Sequence, residues 1–348
     1  MERKIEDANA ERPETAVQAR SETANLPSVM AEPPVRKGWL QRLLGSGYPA
    51  FAHSKVVTDR DVPFPEQVLW VKDAPLFIDE INLAQFYDAS VRPPFDDAAP
   101  VKLKLSENVK KDIAGKLAGK GSAGLANWLS FVATSSVEIS AEGQTSRSRV
   151  TGSETEIVLQ PIKTPHRQLE QLTIYYALRN PEHLLFGDLR DVLRWQKDAL
   201  SISVPRPLVF IDLPRGTKFI PMAAEFADRH TVTFFDKLRD AGGNGPPDFD
   251  PADKNAYWMW FDRNFDAKQS LAVLEDAATT HGRIEWVDFR VPLNGAGDTM
   301  HVHVEASGKY NTGTFGYRLI RRALGHGMRI VGTLRDGPDV HVMALYEK

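Results

Sequence analysis

The chain has 348 residues, 42% hydrophobic and 9% aromatic, enough for two ordinary domains or one large domain with a tail. Its formal charge of -3 supplies no global attraction to nucleic acid or anionic membranes, so no nucleic-acid partner is expected. The absence of cysteine excludes disulfides, thiolate metal ligands and cysteine nucleophiles, and fits a reducing, cytoplasmic setting.

Residues 1–37 mix Glu, Arg, Ala, Pro and Ser with few large apolar groups. Such a segment cannot bury enough surface to offset its ordering entropy, which predicts a disordered arm over 1–47. The first twenty residues are charged throughout and carry no apolar core of a signal peptide. No run approaches 18 consecutive apolar residues, so an integral membrane protein is not expected. Within the arm, Trp39, Leu40, Leu43 and Leu44 can share one side of a two-turn helix. That helix either docks back on the body or serves as a short motif for a partner or a membrane surface.

Residues 48–160 read as a first α/β region. Val68-Leu69-Trp70-Val71 and Leu76-Phe77-Ile78 have the composition of short strands, and Asp79 is placed to cap a helix through Ile81, Leu83, Ala84, Phe86 and Tyr87. Residues 101–132 are rich in Lys and Gly, with Val109, Ile113, Leu117, Leu125, Trp128 and Leu129 at helical spacing. Glycine weakens a helix by about 0.5–1 kcal/mol relative to alanine, so this basic amphipathic segment is read as a mobile surface element with lysines on its wet face. Its other reading is contact with nucleic acid or, over 109–131, peripheral contact with a membrane. Residues 144–156 read as an exposed Ser/Thr-rich loop.

Residues 161–348 read as a second α/β domain. Thr164-Pro165 is a helix start, with Leu169, Leu172, Tyr176 and Ala177 predicted to face inward and Asn180-Pro181 to stop it. A helix over 189–200 precedes strands at 207–212 and 217–220 around the Pro214-Arg215-Gly216 turn, with a further strand at 231–235. The run 241–247 is a breaker loop, and the aromatic group Tyr257, Trp258, Trp260 and Phe261 is read as core. Asp266 opens a helix ending at Gly282.

The last fifty residues carry the candidate chemistry. His301-Val302-His303-Val304-Glu305 alternates with period two, so His301, His303 and Glu305 share one face of a strand and the valines the other. Two imidazoles and a carboxylate form a sensible set of ligands for a divalent ion, and His341 lies on a later strand placed to neighbour this one if the two pair. Equally, a half-exposed strand needs polar residues on its wet side. The loop Gly308-Lys309-Tyr310-Asn311-Thr312-Gly313-Thr314 precedes a helix over 315–324. Free backbone N–H groups there, with Lys309, Asn311, Thr312, Gly313 and Thr314, suit a phosphate or other anion, or form a capped turn. The loop lacks the Lys before a final Ser/Thr that nucleotide hydrolysis by a P-loop requires. Residues 328–334 and 340–346 should form a hairpin across Arg335-Asp336-Gly337-Pro338, with Ile330, Val342 and Leu345 inward. The acidic pairs Asp79-Glu80, Asp96-Asp97 and Asp248/Asp250 sit at turns and helix starts, where carboxylates cap.

Phe77-Ile78-Asp79-Glu80-Ile81-Asn82, the stretch from Val137-Glu138-Ile139-Ser140 to Lys163-Thr164-Pro165, and the closing Val331-Gly332-Thr333-Leu334 together resemble a bacterial family known only as a domain of unknown function. The resemblance spans much of residues 70–348. It implies an intracellular bacterial protein and brings no catalytic residues. The resulting expectation is an α+β protein of short mixed sheets and packed helices with a C-terminal β-α-β-β unit. Its function is read first as a non-enzymatic interaction or regulatory role with protein partners or a homo-oligomer. A metal- or phosphate-dependent enzyme built on the C-terminal residues, and a peripheral membrane protein, are the alternatives; the residues identify no cofactor.

Overall fold

A computed structural model describes residues 55–92, 98–118, 155–234, 259–260, 263–264, 266–306, 315–336 and 339–348. The predicted arm at 1–47, the breaker loop at 241–247 and the anion loop at 308–314 lie outside these residues, as do Tyr257, Trp258, Phe261 and the basic segment beyond residue 118. The described residues all belong to one unit, Phe51–Lys348. Its architecture is the expected mixture of short sheets and packed helices.

The small sheet has three strands. β1 (Lys55–Thr58) runs parallel to the central β4 (Thr155–Leu159), and β3 (Val101–Leu105) runs antiparallel to it. The large sheet has nine strands. Its first half is β5 (Leu184–Gly187), β6 (Leu208–Leu213), β11 (Met328–Arg335) and β12 (Asp339–Glu347), in that spatial order. The second half continues through β10 (Thr299–Glu305), β9 (Ile284–Pro292), β7 (Ile220–Phe226) and β8 (Thr231–Thr233). The ninth strand is β2 (Phe77–Ile78), which pairs with β12 alone.

Six helices pack around these sheets among the described residues: α1 (Glu80–Val91), α2 (Glu107–Ala118), α3 (Pro165–Arg179), α4 (Leu189–Lys197), α5 (Ala267–His281) and α6 (Phe315–Gly325). Local chemistry explains their starts. The Asp79 side chain accepts from the Asn82 N–H at 3.0 Å to open α1, and Asp188 and Asp191 form a reciprocal capping box on α4. α5 ends at Gly282, whose φ of +91° is a left-handed conformation suited to glycine.

The two faces of the large sheet bury different cores. On one, Val209, Ile211, Phe289, Val302, Val304, Ile330, Val342 and Leu345 pack with Val192 and Trp195 of α4, Leu274 of α5 and Leu319 and Ile320 of α6. Trp260 packs partly against this core. On the other, Leu208, Phe210, Val331, Met343 and Tyr346 pack with Leu83 and Tyr87 of α1, Leu169, Leu172 and Tyr176 of α3, and Ile157 of the small sheet. This second core draws residues from both sides of position 160.

Several sequence expectations meet corrections. Val68-Leu69-Trp70-Val71 is not a strand but part of a 3-10 turn, Glu66–Lys72, which buries Val68 and Val71. A short apolar run has no period that separates the two readings. Val101–Leu105, read as part of a basic segment, is strand β3, and its alternation Val-Lys-Leu-Lys-Leu turns Leu103 and Leu105 inward. In α2 Ile113 is buried and Val109 packs on the second core, yet Lys110 is buried as well rather than on the wet face. The strand read at 217–220 begins only at Ile220 and runs on to Phe226 as β7, which joins β9, while β6 joins β11.

β12 decides where the site lies. Its pairing with β11 is the expected hairpin, with Ile330, Val342 and Leu345 fully buried. The register slips between Val331 and Gly332, leaving Met343 as an extra residue opposite the gap. A bulge of this kind re-aims side chains and ends regular pairing. Along its other edge, β12 pairs parallel with β10 at Val340 and His341, then antiparallel with β2 at Ala344 and Leu345. β10 and β2 thus approach each other head-on at Met343, whose carbonyl accepts the Asp79 N–H at 2.7 Å.

Candidate metal centre

On the second face, beyond the reach of α1 and α3, the sheet is polar. From Val287 onward β9 alternates, as β10 does throughout: Val287, Phe289, Val291, Val302 and Val304 enter the first core, while Asp288, Arg290, His301, His303 and Glu305 point to the half-exposed side. The parallel register places His341 beside His303. His303, Glu305 and His341 each offer one ligand atom, and these atoms lie within 4.8 Å of one another. The His303 and His341 rings meet edge to face, with centroids 5.3 Å apart.

His301 shares the face but faces other partners. Its Nε2 is 3.1 Å from Asp288 and its Nδ1 is 3.4 Å from Asp339, which also sits 3.7 Å from Arg290. Of the residues named from the HVHVE pattern, His303 and Glu305 therefore converge with His341, whereas His301 belongs to an adjoining ion-pair chain. Lys309, Asn311, Thr312, Gly313 and Thr314 fall outside the described residues.

The partners of His303 set its orientation. Nδ1 is 2.6 Å from an Asp288 oxygen, and Nε2 is 3.3 Å from Glu305. A carboxylate on one ring nitrogen leaves the other turned toward the cluster, the arrangement that orients metal-bound histidines. Trp286 lies beside this ring, with centroids 5.7 Å apart, and its indole N–H donates to Glu225 at 3.0 Å.

The N-terminus of α1 closes the site from the side. The Asn82 amide nitrogen lies 2.6 Å from Asp79 Oδ2, 3.0 Å from His341 Nε2 and 3.4 Å from Glu305 Oε2. Its two hydrogens are shared between the Asp79 and Glu305 carboxylates, with the His341 ring nitrogen as a third neighbour whose role depends on its tautomer. Neither Asn82 nor Asp288 is singled out by any local motif. Asp79 was legible only as a cap, and its partnership with residues more than two hundred positions later has no sequence signal.

Charge states follow from this packing. Burial is the main force on His341 and lowers it to about 4, helped by Arg335 and His303, so its imidazole is neutral. For His303 burial works against the proton, but Asp288 and Glu305 outweigh it and the pKa is raised. Asp288 and Asp339 raise His301 to about 9. Burial pushes Asp288 up, yet hydrogen bonds from His301 and His303 hold it far below the usual carboxylate range. Burial also raises Asp79, against its bonds to Asn82.

A cavity of about 350 Å³ opens beside the cluster, under α1. Asn82, Phe86, Arg206, Arg335, His341 and Met343 are among its walls. Among the described residues, no helix is long and apolar enough to cross a membrane. Comparison with known protein families, with curated proteins and with solved structures finds no match to this chain.

Proposed function

We propose that this protein binds a divalent transition-metal ion through His303, Glu305 and His341 and uses it as a Lewis acid toward a substrate in the adjoining cavity. The observation that carries the reading is the convergence of these three ligand atoms within 4.8 Å on two paired strands. Three protein ligands leave coordination positions open, which is the arrangement of catalytic rather than structural sites. Two imidazoles and one carboxylate suit zinc, iron, cobalt or nickel better than calcium or magnesium. A bound ion would supply polarisation of a substrate oxygen and acidify a water. Asp288 holds the His303 ring in place, and Asn82 stands where its amide oxygen could turn toward an ion bound by Glu305 and His341. The bacterial, cytoplasmic setting implied by the sequence is part of the same proposal.

The test is titration of the chelator-stripped protein with Zn²⁺ and Co²⁺ by calorimetry and visible spectroscopy. One equivalent should bind, with cobalt bands of a low-coordinate site, and H303A, E305A and H341A should each weaken binding by at least about tenfold. Equal binding by the wild type and all three variants would sink the reading.

A second reading, a contact role with a protein partner or a second copy of the chain, draws on Ile202 and Val204, which are 69% and 90% exposed in one loop. Light scattering of the wild type and of I202E/V204E tests it; an unchanged mass together with unchanged partner capture would remove it.

A further inference from the structure

The cavity beside the cluster has a chemical polarity of its own. Arg206 and Arg335 both line it, together with His341. Among the described residues, neither guanidinium has a carboxylate within ion-pair distance, although ion pairs are frequent elsewhere on the same sheet. The two are close enough to repel: after burial, Arg206 is the main influence lowering the Arg335 pKa. Both also depress His341. Glu305 offsets part of this repulsion from beyond ion-pair distance, and a bound anion would relieve the rest. Phe86, Ala89 and Met343 supply apolar lining to the same cavity. The volume of about 350 Å³ fits a small ligand.

We propose that the cavity takes a small oxyanion, a phosphate ester or a carboxylate, whose charged group is clamped between Arg206 and Arg335 and whose apolar body lies on Phe86 and Met343. This rests on the metal reading for its chemistry but not for its binding. Guanidinium groups offer paired N–H donors that match the two oxygens of either anion. The His303–Glu305–His341 cluster adjoins the cavity at His341, so an oxygen of the clamped group, or the bond next to it, comes within reach of an ion held there. The arginines are positioning and binding residues in this scheme. Asn82 lies at the junction, lining the cavity and touching His341 at 3.0 Å.

The experiment titrates phenyl phosphate, benzoate and inorganic phosphate into the full chain, with and without one equivalent of Zn²⁺. The wild type, R206Q, R335Q, R206Q/R335Q and H303A are compared by calorimetry. Both arginines are exposed, so their glutamine variants should fold, and equal melting temperatures would confirm it. We expect phenyl phosphate or benzoate to bind the wild type, each single Arg variant to bind about tenfold more weakly, and the double variant more weakly still. Preference for phenyl phosphate identifies a phosphate ester, and preference for benzoate a carboxylate. H303A should lose Zn²⁺ yet keep the anion binding of the zinc-free protein. Binding that is the same in R206Q/R335Q as in the wild type, or no binding of any of the three anions with or without Zn²⁺, would overturn the proposal. Inorganic phosphate binding as tightly as phenyl phosphate would overturn the role of the apolar lining. If anions bind but Zn²⁺ does not, the metal reading alone fails.

Discussion

The two faces of the same strands have opposite fates. On one, β9 and β10 send Val287, Phe289, Val302 and Val304 into a core closed by α4, α5 and α6. On the other, they present Asp288, His301, His303 and Glu305, which stay half-exposed beside the N-terminus of α1. The same second face is thoroughly buried a few strands away, where α1 and α3 lie over β6, β11 and the far end of β12. The coverage stops at Met343, where Asp79 begins α1. Under the proposed function, the boundary between a polar face and a sealed one offers a ligand both apolar lining and charged groups.

The contrast breaks most sharply at Phe289. F289A should cost about 3–5 kcal/mol of stability, because it empties a fully buried ring site. H303A, on the other face of the neighbouring strand, should cost roughly 1 kcal/mol or less, because its ion pairs are half-exposed. Denaturant unfolding of the two variants measures the difference; equal losses would mean the polar face is itself structural.

Gly332 tests the boundary. A Cβ there would stand 2.4 Å from the carbonyl oxygen of His341. G332A must push β12 outward, at a cost of about 1–3 kcal/mol, and should loosen metal binding as well, because His341 moves with its backbone. A variant that melts later than expected but binds Zn²⁺ as the wild type does would show that the ladder yields elsewhere.

The smallest effect concerns His301. Its pKa is raised from 6.5 to about 9 by Asp288 and Asp339, so its contribution to stability is complete below about pH 6.5 and disappears as pH rises through about 9. With chelator present, the wild type should lose stability over that window relative to H301N. Parallel stability curves for the two proteins would contradict the ion-pair assignment.

Much of this arrangement was legible along the chain. The period-two HVHVE pattern places His303 and Glu305 on one face, Asp336-Gly337 announces the hairpin, and Asp79 announces α1. These are local signals, written within a few residues of the structure they specify. The site itself depends on non-local pairing. Nothing near His341 states that β12 lies parallel to β10, so the assignment of His341 to His303, and of His301 to Asp339, follows only from a register set by the whole sheet. Asp288 and Arg206 have no motif at all, and Asn82 and Arg335 were read only as parts of a helix start and a hairpin turn; none is marked for the site until the strands and α1 bring it in. The Val68–Val71 misreading has the reverse cause, a local apolar run whose conformation is decided by the core it enters.

Met343, the extra residue in β12, gives the protein an internal reporter. Its carbonyl is bound to the Asp79 amide, and His341 lies two residues before it on the same strand. A ligand that draws His341 toward itself therefore tugs on the first hydrogen bond anchoring α1. Amide protons at 79 and 83 should exchange with solvent at rates set by occupancy of the cluster, so that ligation is written into the fraying of a helix start.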